Sequence, residues 1–235
     1  MSGERGTIRK VFDISPTAIT SNGTYDGSSN PSAPTTAWTS GFTPFQWLSG
    51  IPQSDDDNGR VGQSVALETF DLRIKISTAD TLSGTNHLRM LVLADNEYDG
   101  GGQALTEILG DVNNSGITIA AGSVLQWNQP SFFGRFRIIE DKHWHWRSIA
   151  SGSVPTFIDQ VNTHSFWHES HHDMKGHRLM WDTTDTNTTT SARKGHMFMI
   201  FMYESTSVAA GGIPVVVTTN PPVIQYSVRL RYRDA

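Results

Sequence analysis

Histidines and carboxylates crowd one stretch of this 235-residue chain: His164, His168, His171, His172 and His177, with Glu169 and Asp173 among them. On a helix, His164, His168 and His171 would share one face at i, i+4 and i+7, and imidazole with carboxylate suits zinc. Residues His168-Glu-Ser-His-His172 even meet the His-Glu-x-x-His spacing of a metalloprotease in form. The surroundings do not support it, because that motif needs an apolar helix around it and this segment is short, polar and ended by Gly176. A polar interface loop whose histidines charge on acidification is the better reading.

Hard oxygen ligands gather at Asp55-Asp-Asp57 and again at Asp95, Glu97 and Asp99. Neither segment follows a calcium-binding loop pattern, so solvated acidic turns come first and a calcium ion held at a subunit contact comes second. His143 and His145 stand two apart, as in metal-dependent jelly-roll enzymes, but the glutamate such enzymes carry a few residues later is missing. No metal or other cofactor is expected; Asp55, Asp57, His164, His168 and His171 are the positions a metal would use. No phosphate-cradling glycine loop precedes a helix, and no Gly-x-Ser-x-Gly elbow occurs, so no catalytic residue is assigned.

The elements around these residues read as strands. Phe70, Leu72, Ile74 and Ile76 alternate with Asp71, Arg73 and Lys75, and Ile224, Tyr226, Val228, Leu230 and Tyr232 alternate with Gln225, Ser227, Arg229, Arg231 and Arg233. One oily and one charged side is what a half-buried antiparallel strand requires. Eight candidates fall near 42–49, 63–78, 86–94, 132–140, 143–149, 177–182, 196–204 and 223–233, with a tight turn at Glu140–Lys142 between the fourth and fifth. Eight strands joined by long loops predict an all-β fold, an eight-stranded antiparallel jelly-roll sandwich of two packed sheets. The loops expected are 95–131, with a helical turn at Leu105–Leu109, then 150–176, 183–195 and 205–222. Residues 1–40, polar and rich in Ser, Thr, Gly and Asn, predict a partly extended arm lying on the sheet or on a neighbour, and 41–235 the sandwich domain.

Composition narrows the function. There are no cysteines, which excludes disulfides and thiolate metal sites. The longest apolar run, Met197–Tyr203, is too short to span a bilayer, so a soluble protein with no membrane partner is expected. A net charge of −5 argues against a freely diffusing nucleic-acid binder. Seven tryptophans and eleven phenylalanines form a large apolar load. Those in or near expected loops, Trp38, Trp47, Trp127, Phe157, Phe166 and Trp167, are candidates for a subunit interface, since buried aromatics anchor association. Core packing accounts for about half of such aromatics.

The order Ile51…Gln53…Arg60-Val-Gly62, Leu88–Asp95, Ile108-Leu109, Arg135–Asp141 and Ser227–Asp234 resembles the single jelly-roll capsid proteins of small circular single-stranded DNA viruses. Coats of satellite plant viruses are similar. The resemblance runs over about residues 42–235, and it implies a coat protein, not an enzyme. Such a protein would self-assemble into a small icosahedral shell, package single-stranded nucleic acid, circular DNA before RNA, and meet a host receptor through its outer loops. Its place would be the virion, with assembly inside the host cell, the nucleus included. The same resemblance turns the sheet of the last strand toward the genome, so that Arg229, Arg231 and Arg233 would contact it, extended by Arg89 if residues 86–94 share that sheet. Pairing of these arginines with carboxylates on neighbouring strands is the open alternative. Capsid proteins of this kind begin with a dense arginine-rich arm, whereas here Arg5, Arg9 and Lys10 are all that stands at that end. A fuller arm upstream of Met1 is the first expectation, packaging by the inner sheet or empty particles the others. Two rivals remain: a carbohydrate-binding β-sandwich and a metal-dependent jelly-roll enzyme.

Overall fold

The alternation near the end of the chain becomes a strand whose even-numbered residues Ile224 to Tyr232 are buried while Gln225, Arg229 and Arg233 are exposed. The computed structural model describes residues 9–19, 43, 45–78, 84–98, 108, 134–148, 165–182, 191–208, 214–217 and 221–235. Within them run nine strands: β1 (Arg9–Ile19), β2 (Gln46–Trp47), β3 (Ser64–Ser77), β4 (Gly84–Asp95), β5 (Phe136–Ser148), β6 (Ser165–Met180), β7 (His196–Val208), β8 (Pro214–Val217) and β9 (Val223–Asp234). One sheet has the order β1-β9-β3-β6, and the other β2-β7-β4-β5 with the short β8 also on β7. Every pairing between these strands is antiparallel.

With β8 set aside, first pairs with last, second with seventh, third with sixth and fourth with fifth, as in one long hairpin rolled up so that successive pairs alternate between sheets. That is the jelly roll. Burial follows from it. The inward faces of both sheets merge in one apolar cluster that includes Phe70, Leu72, Leu88, Met90, Phe201 and Leu230. A second cluster, with Phe45, Leu91, Tyr98, Ile108, Phe198 and Ile200, covers the outer side of β4 and β7. Residues Met197–Tyr203 are therefore buried on both sides, and their sequence lacks alternation because neither face meets water.

Three expectations change. First, Arg9–Ile19, within the segment read as a partly extended arm, is a regular strand laid on the sheet, hydrogen-bonded along β9 from Arg9↔Arg233 to Ile19↔Ile224 with one irregularity at Ser15-Pro16. Second, Glu140–Lys142 is not a turn but the middle of β5; a bulge at Ile139, between the pairings of Ile138 and Glu140, lets Asp141 point outward and Glu140 inward. Third, residues 165–176 are not loop or helix but the first part of β6. That strand escaped notice because His168, Ser170 and His172 occupy its inward positions, and because Met174–Gly176 bulge out of register opposite Glu68. Of the helical turn expected at Leu105–Leu109 only Ile108 is described, helical and buried. Among the described residues no helix is long and apolar enough to cross a membrane.

Among the described residues, two glycines adopt left-handed backbone in different settings. Gly176 (φ +75°) faces open space, whereas a Cβ on Gly195 (φ +77°) would stand 2.0 Å from the carbonyl oxygen of Arg178. Gly176→Ala should cost about 1 kcal/mol, the left-handed penalty alone, and Gly195→Ala roughly 3 kcal/mol because steric displacement of β6 adds to it. Denaturant midpoints of the two variants check this, and equal losses would contradict the contact.

Candidate functional site

The period of two places Arg229, Arg231 and Arg233 on the outward side of β9, but none stands alone. Arg229 donates from Nε and Nη2 to the two oxygens of Asp13 at 2.7 and 2.8 Å. Arg231 donates to Asp71 at 2.8 Å and to the Thr69 hydroxyl at 3.2 Å. Glu68 sits between Arg233 at 2.6 Å and Arg9 at 3.2 Å. On β3 and β6, Arg73 pairs with Glu169 at 3.0 Å, and His171 donates its Nδ1 proton to Asp71. Hydrogen bonding from Arg229 holds the Asp13 carboxyl below its ordinary range. Cations and anions thus alternate across the sheet, and the carboxylate-pairing alternative is the one the geometry shows for all three arginines.

The other basic positions scatter. Lys10 is buried, its ammonium 2.8 Å from the Gly59 carbonyl and 3.1 Å from Asp234. Arg89 lies in the other sheet, nearly inaccessible, bound through two atoms to Asp141 at 2.6 and 2.8 Å, so it does not extend the β9 row. Arg5 lies outside the described residues.

Aromatic positions divide likewise. Trp38, Trp127 and Phe157 fall outside the described residues. Phe166 packs inward against the main core and Trp146, and Trp47 is partly buried over the second cluster. Trp167 alone among the described members of that set is an exposed large hydrophobic: it stands outward on β6 with 70% of its surface accessible, with the Lys75 ammonium 5.7 Å from its ring. The sequence marked Trp167 as an aromatic near a loop, but only the strand assignment shows that it faces away from the core.

The histidines do not gather on a helix face. His168 points inward and His171 outward on β6, and His164 is outside the described residues. Three groups of β6 instead converge on one carboxylate of the opposite sheet: His168 donates to Glu140 Oε1 at 2.5 Å, and Ser170 and His172 to Oε2 at 2.7 and 3.1 Å. Burial pushes the Glu140 carboxyl up, but the hydrogen bonds outweigh it and hold the group below its ordinary value. Trp144 meets the His168 ring edge-on and Phe70 stacks on His172, so this polar link is set in aromatic walls. Nothing in the sequence pairs Glu140 with β6, since the partners are 28 to 32 residues apart.

Asp55 and Asp57 are exposed in the turn after Ile51. Asp95 is buried against Arg135 at 3.0 Å and caps the Glu97 N–H, a structural use of that carboxylate. His143 and His145 face outward while Trp144 and Trp146 face the core, the reverse of a metal pair inside a barrel. Among the described residues no three His, Cys, Asp or Glu side chains are grouped to hold a metal ion.

The fold is an all-β, antiparallel jelly-roll sandwich. No protein-family profile and no curated protein matches the chain. Similar solved structures include VP1 of human polyomavirus 6, a pentamer, at 10% identity over 95% of this chain and 93% of that one, with a TM-score of 0.29. VP1 of trichodysplasia spinulosa-associated polyomavirus is 8% identical over 95% and 94%, TM-score 0.34, and the Merkel cell polyomavirus virus-like particle 13% over 82% and 60%, TM-score 0.27. At these scores the fold rests on the strand order itself.

Buried His196 carries the clearest pH dependence. Its Nε2 donates to the Met180 carbonyl at 2.8 Å, while Nδ1 accepts from Trp47 Nε1 at 3.2 Å and from the Ser49 hydroxyl at 2.9 Å, so the ring is neutral. Burial pushes its pKa down to about 3, against the smaller upward effect of the Met180 hydrogen bond. The unfolded chain takes up this proton near pH 6.5 and the folded chain only near 3, so stability is full above 6.5 and falls as pH drops through that window, by roughly 4 kcal/mol at its lower end. Denaturation curves between pH 7 and 4 should show this slope in the wild type and a shallower one in His196→Gln. Equal slopes would remove the assignment.

Proposed function

We propose that this chain is a viral coat protein that self-associates into a closed shell. The observation that carries the reading is the strand order β1-β9-β3-β6 over β2-β7-β4-β5, a complete jelly roll, in a chain whose motif order resembles single jelly-roll capsid proteins. A fold hosts many functions, so the site must agree with it. The clusters of titratable groups described above are tied into ion pairs, sheet links and caps instead of converging on a reactive centre.

Packaging of single-stranded nucleic acid, an icosahedral shell and residence in the virion belong to the same proposal. The described arginines of the outer sheet face lend little net charge to a genome, because Arg73, Arg229 and Arg231 each face a carboxylate and Arg233 shares Glu68 with Arg9. Cargo is therefore tested apart from assembly. Purified full chain should form particles of uniform diameter by negative-stain microscopy and sediment far ahead of a 25.9 kDa protein. The ratio of absorbance at 260 to 280 nm in the particle fraction reads the nucleic acid. A single-chain mass at all concentrations and salt levels would refute the coat reading, while particles with a protein-only spectrum would refute packaging.

A further inference from the structure

The outward face of the β1-β9-β3-β6 sheet carries a trough of about 650 Å³. Its floor is low because Ser227 of β9 lies opposite the Ser15-Pro16 irregularity of β1, where the pairing of β1 with β9 skips from Ile14 to Thr17. Arg229 with Asp13, Arg231 with Asp71, and Arg73 with Glu169 line it: three guanidinium groups against three carboxylates, a net charge of zero. His171 completes the rim beside Asp71.

The ion pairs leave hydrogen-bonding capacity that is already oriented. A guanidinium has five N–H groups and a carboxylate about four lone-pair sites, and a two-point contact such as Arg229 with Asp13 uses two of each. The remainder is an ordered array of donors and acceptors side by side. A polyanion could use only the donors and would be repelled by three carboxylates. Hydroxyl groups both donate and accept, so a neutral polyol can satisfy both kinds without charge to offset. One row further along the strands stand Trp167 and Lys75, paired in register across β6 and β3, next to Glu169 and Arg73 of the trough. Two strand residues span about 6.6 Å, so the indole face lies one sugar ring away from the trough. An exposed aromatic plane beside fixed polar groups supplies the apolar half of such a site.

We propose that this face is a binding site for a neutral oligosaccharide, one ring on Trp167 and the next in the trough between the arginine–carboxylate pairs. The site does not depend on the coat reading, and the two are measured separately. The full chain is tested by saturation-transfer NMR against maltohexaose, cellohexaose, chitohexaose and lacto-N-hexaose, with a 30-residue oligothymidylate as the competing class. At least one oligosaccharide should bind, with an affinity unchanged between 50 and 500 mM NaCl. Trp167→Ala and Asp71→Asn should each weaken it tenfold or more while the melting temperature and the particle size stay as in the wild type; Trp167 is exposed, so its loss leaves the core intact. No binding across the panel overturns the proposal. So does oligothymidylate binding that Trp167→Ala abolishes and salt suppresses, which would assign the face to nucleic acid. A change of particle size in Trp167→Ala without any sugar effect also overturns it, and assigns the face to a second copy of the chain.

Discussion

The structure depends on the burial of one side of β3 and β9 against the inner side of β4 and β7. Phe70, Leu72, Ile74, Ile76, Ile224, Val228 and Leu230 are all closed from water there, and each such side chain contributes about 1.5–3 kcal/mol on leaving it. That force has no direction, and it does not fix how one sheet sits over the other. Polar links at the margins do. Tyr226 of β9 donates to Gln46 of β2, His196 of β7 to the Met180 carbonyl of β6, and the β6 triad of His168, Ser170 and His172 to Glu140 of β5. Each joins the two sheets, and each would leave a shielded polar group unmatched if the sheets slid.

The two sheets are not equivalent. The second apolar cluster covers the outward side of β4 and β7, while β5 beside them turns His143 and His145 outward. The other sheet keeps an outward face of alternating charges with Trp167 on it. That face carries both signs of charge in near balance.

Where one face was wet and the other buried, the residues spelled the structure out: β3 and β9 could be read to within a residue or two from their alternation. β7 was found from its apolar run, though not its two-sided cover. β6 was largely invisible, since histidines and serine fill inward positions that a sequence reader assigns to loops, and their partner Glu140 lies on another strand. Glu140-Asp-Lys142 looked like a turn because three charged residues in a row are rare inside a strand, yet a bulge at Ile139 sends alternate ones to Arg89 and to the histidines. The alternation of β9 puts the three arginines on one outward face. Their carboxylates, Asp13 and Asp71 and Glu68, come from two other strands, and only the register reveals them. Residues 9–19 read as part of an arm because apolar residues are sparse in this strand, which pairs at a sheet edge.

Because β9 lies between β1 and β3, the order of synthesis matters. Arg9 meets Arg233, and every other described strand is synthesised before residues 223–234. Until then β1 has no neighbour in its sheet and the oily side of β3 lacks the strand beside it, a long-range closure of the kind that makes folding slow. An unfinished sheet therefore persists until β9 is added, and the uncovered side of β3 is the part of it open to wrong pairing in that interval.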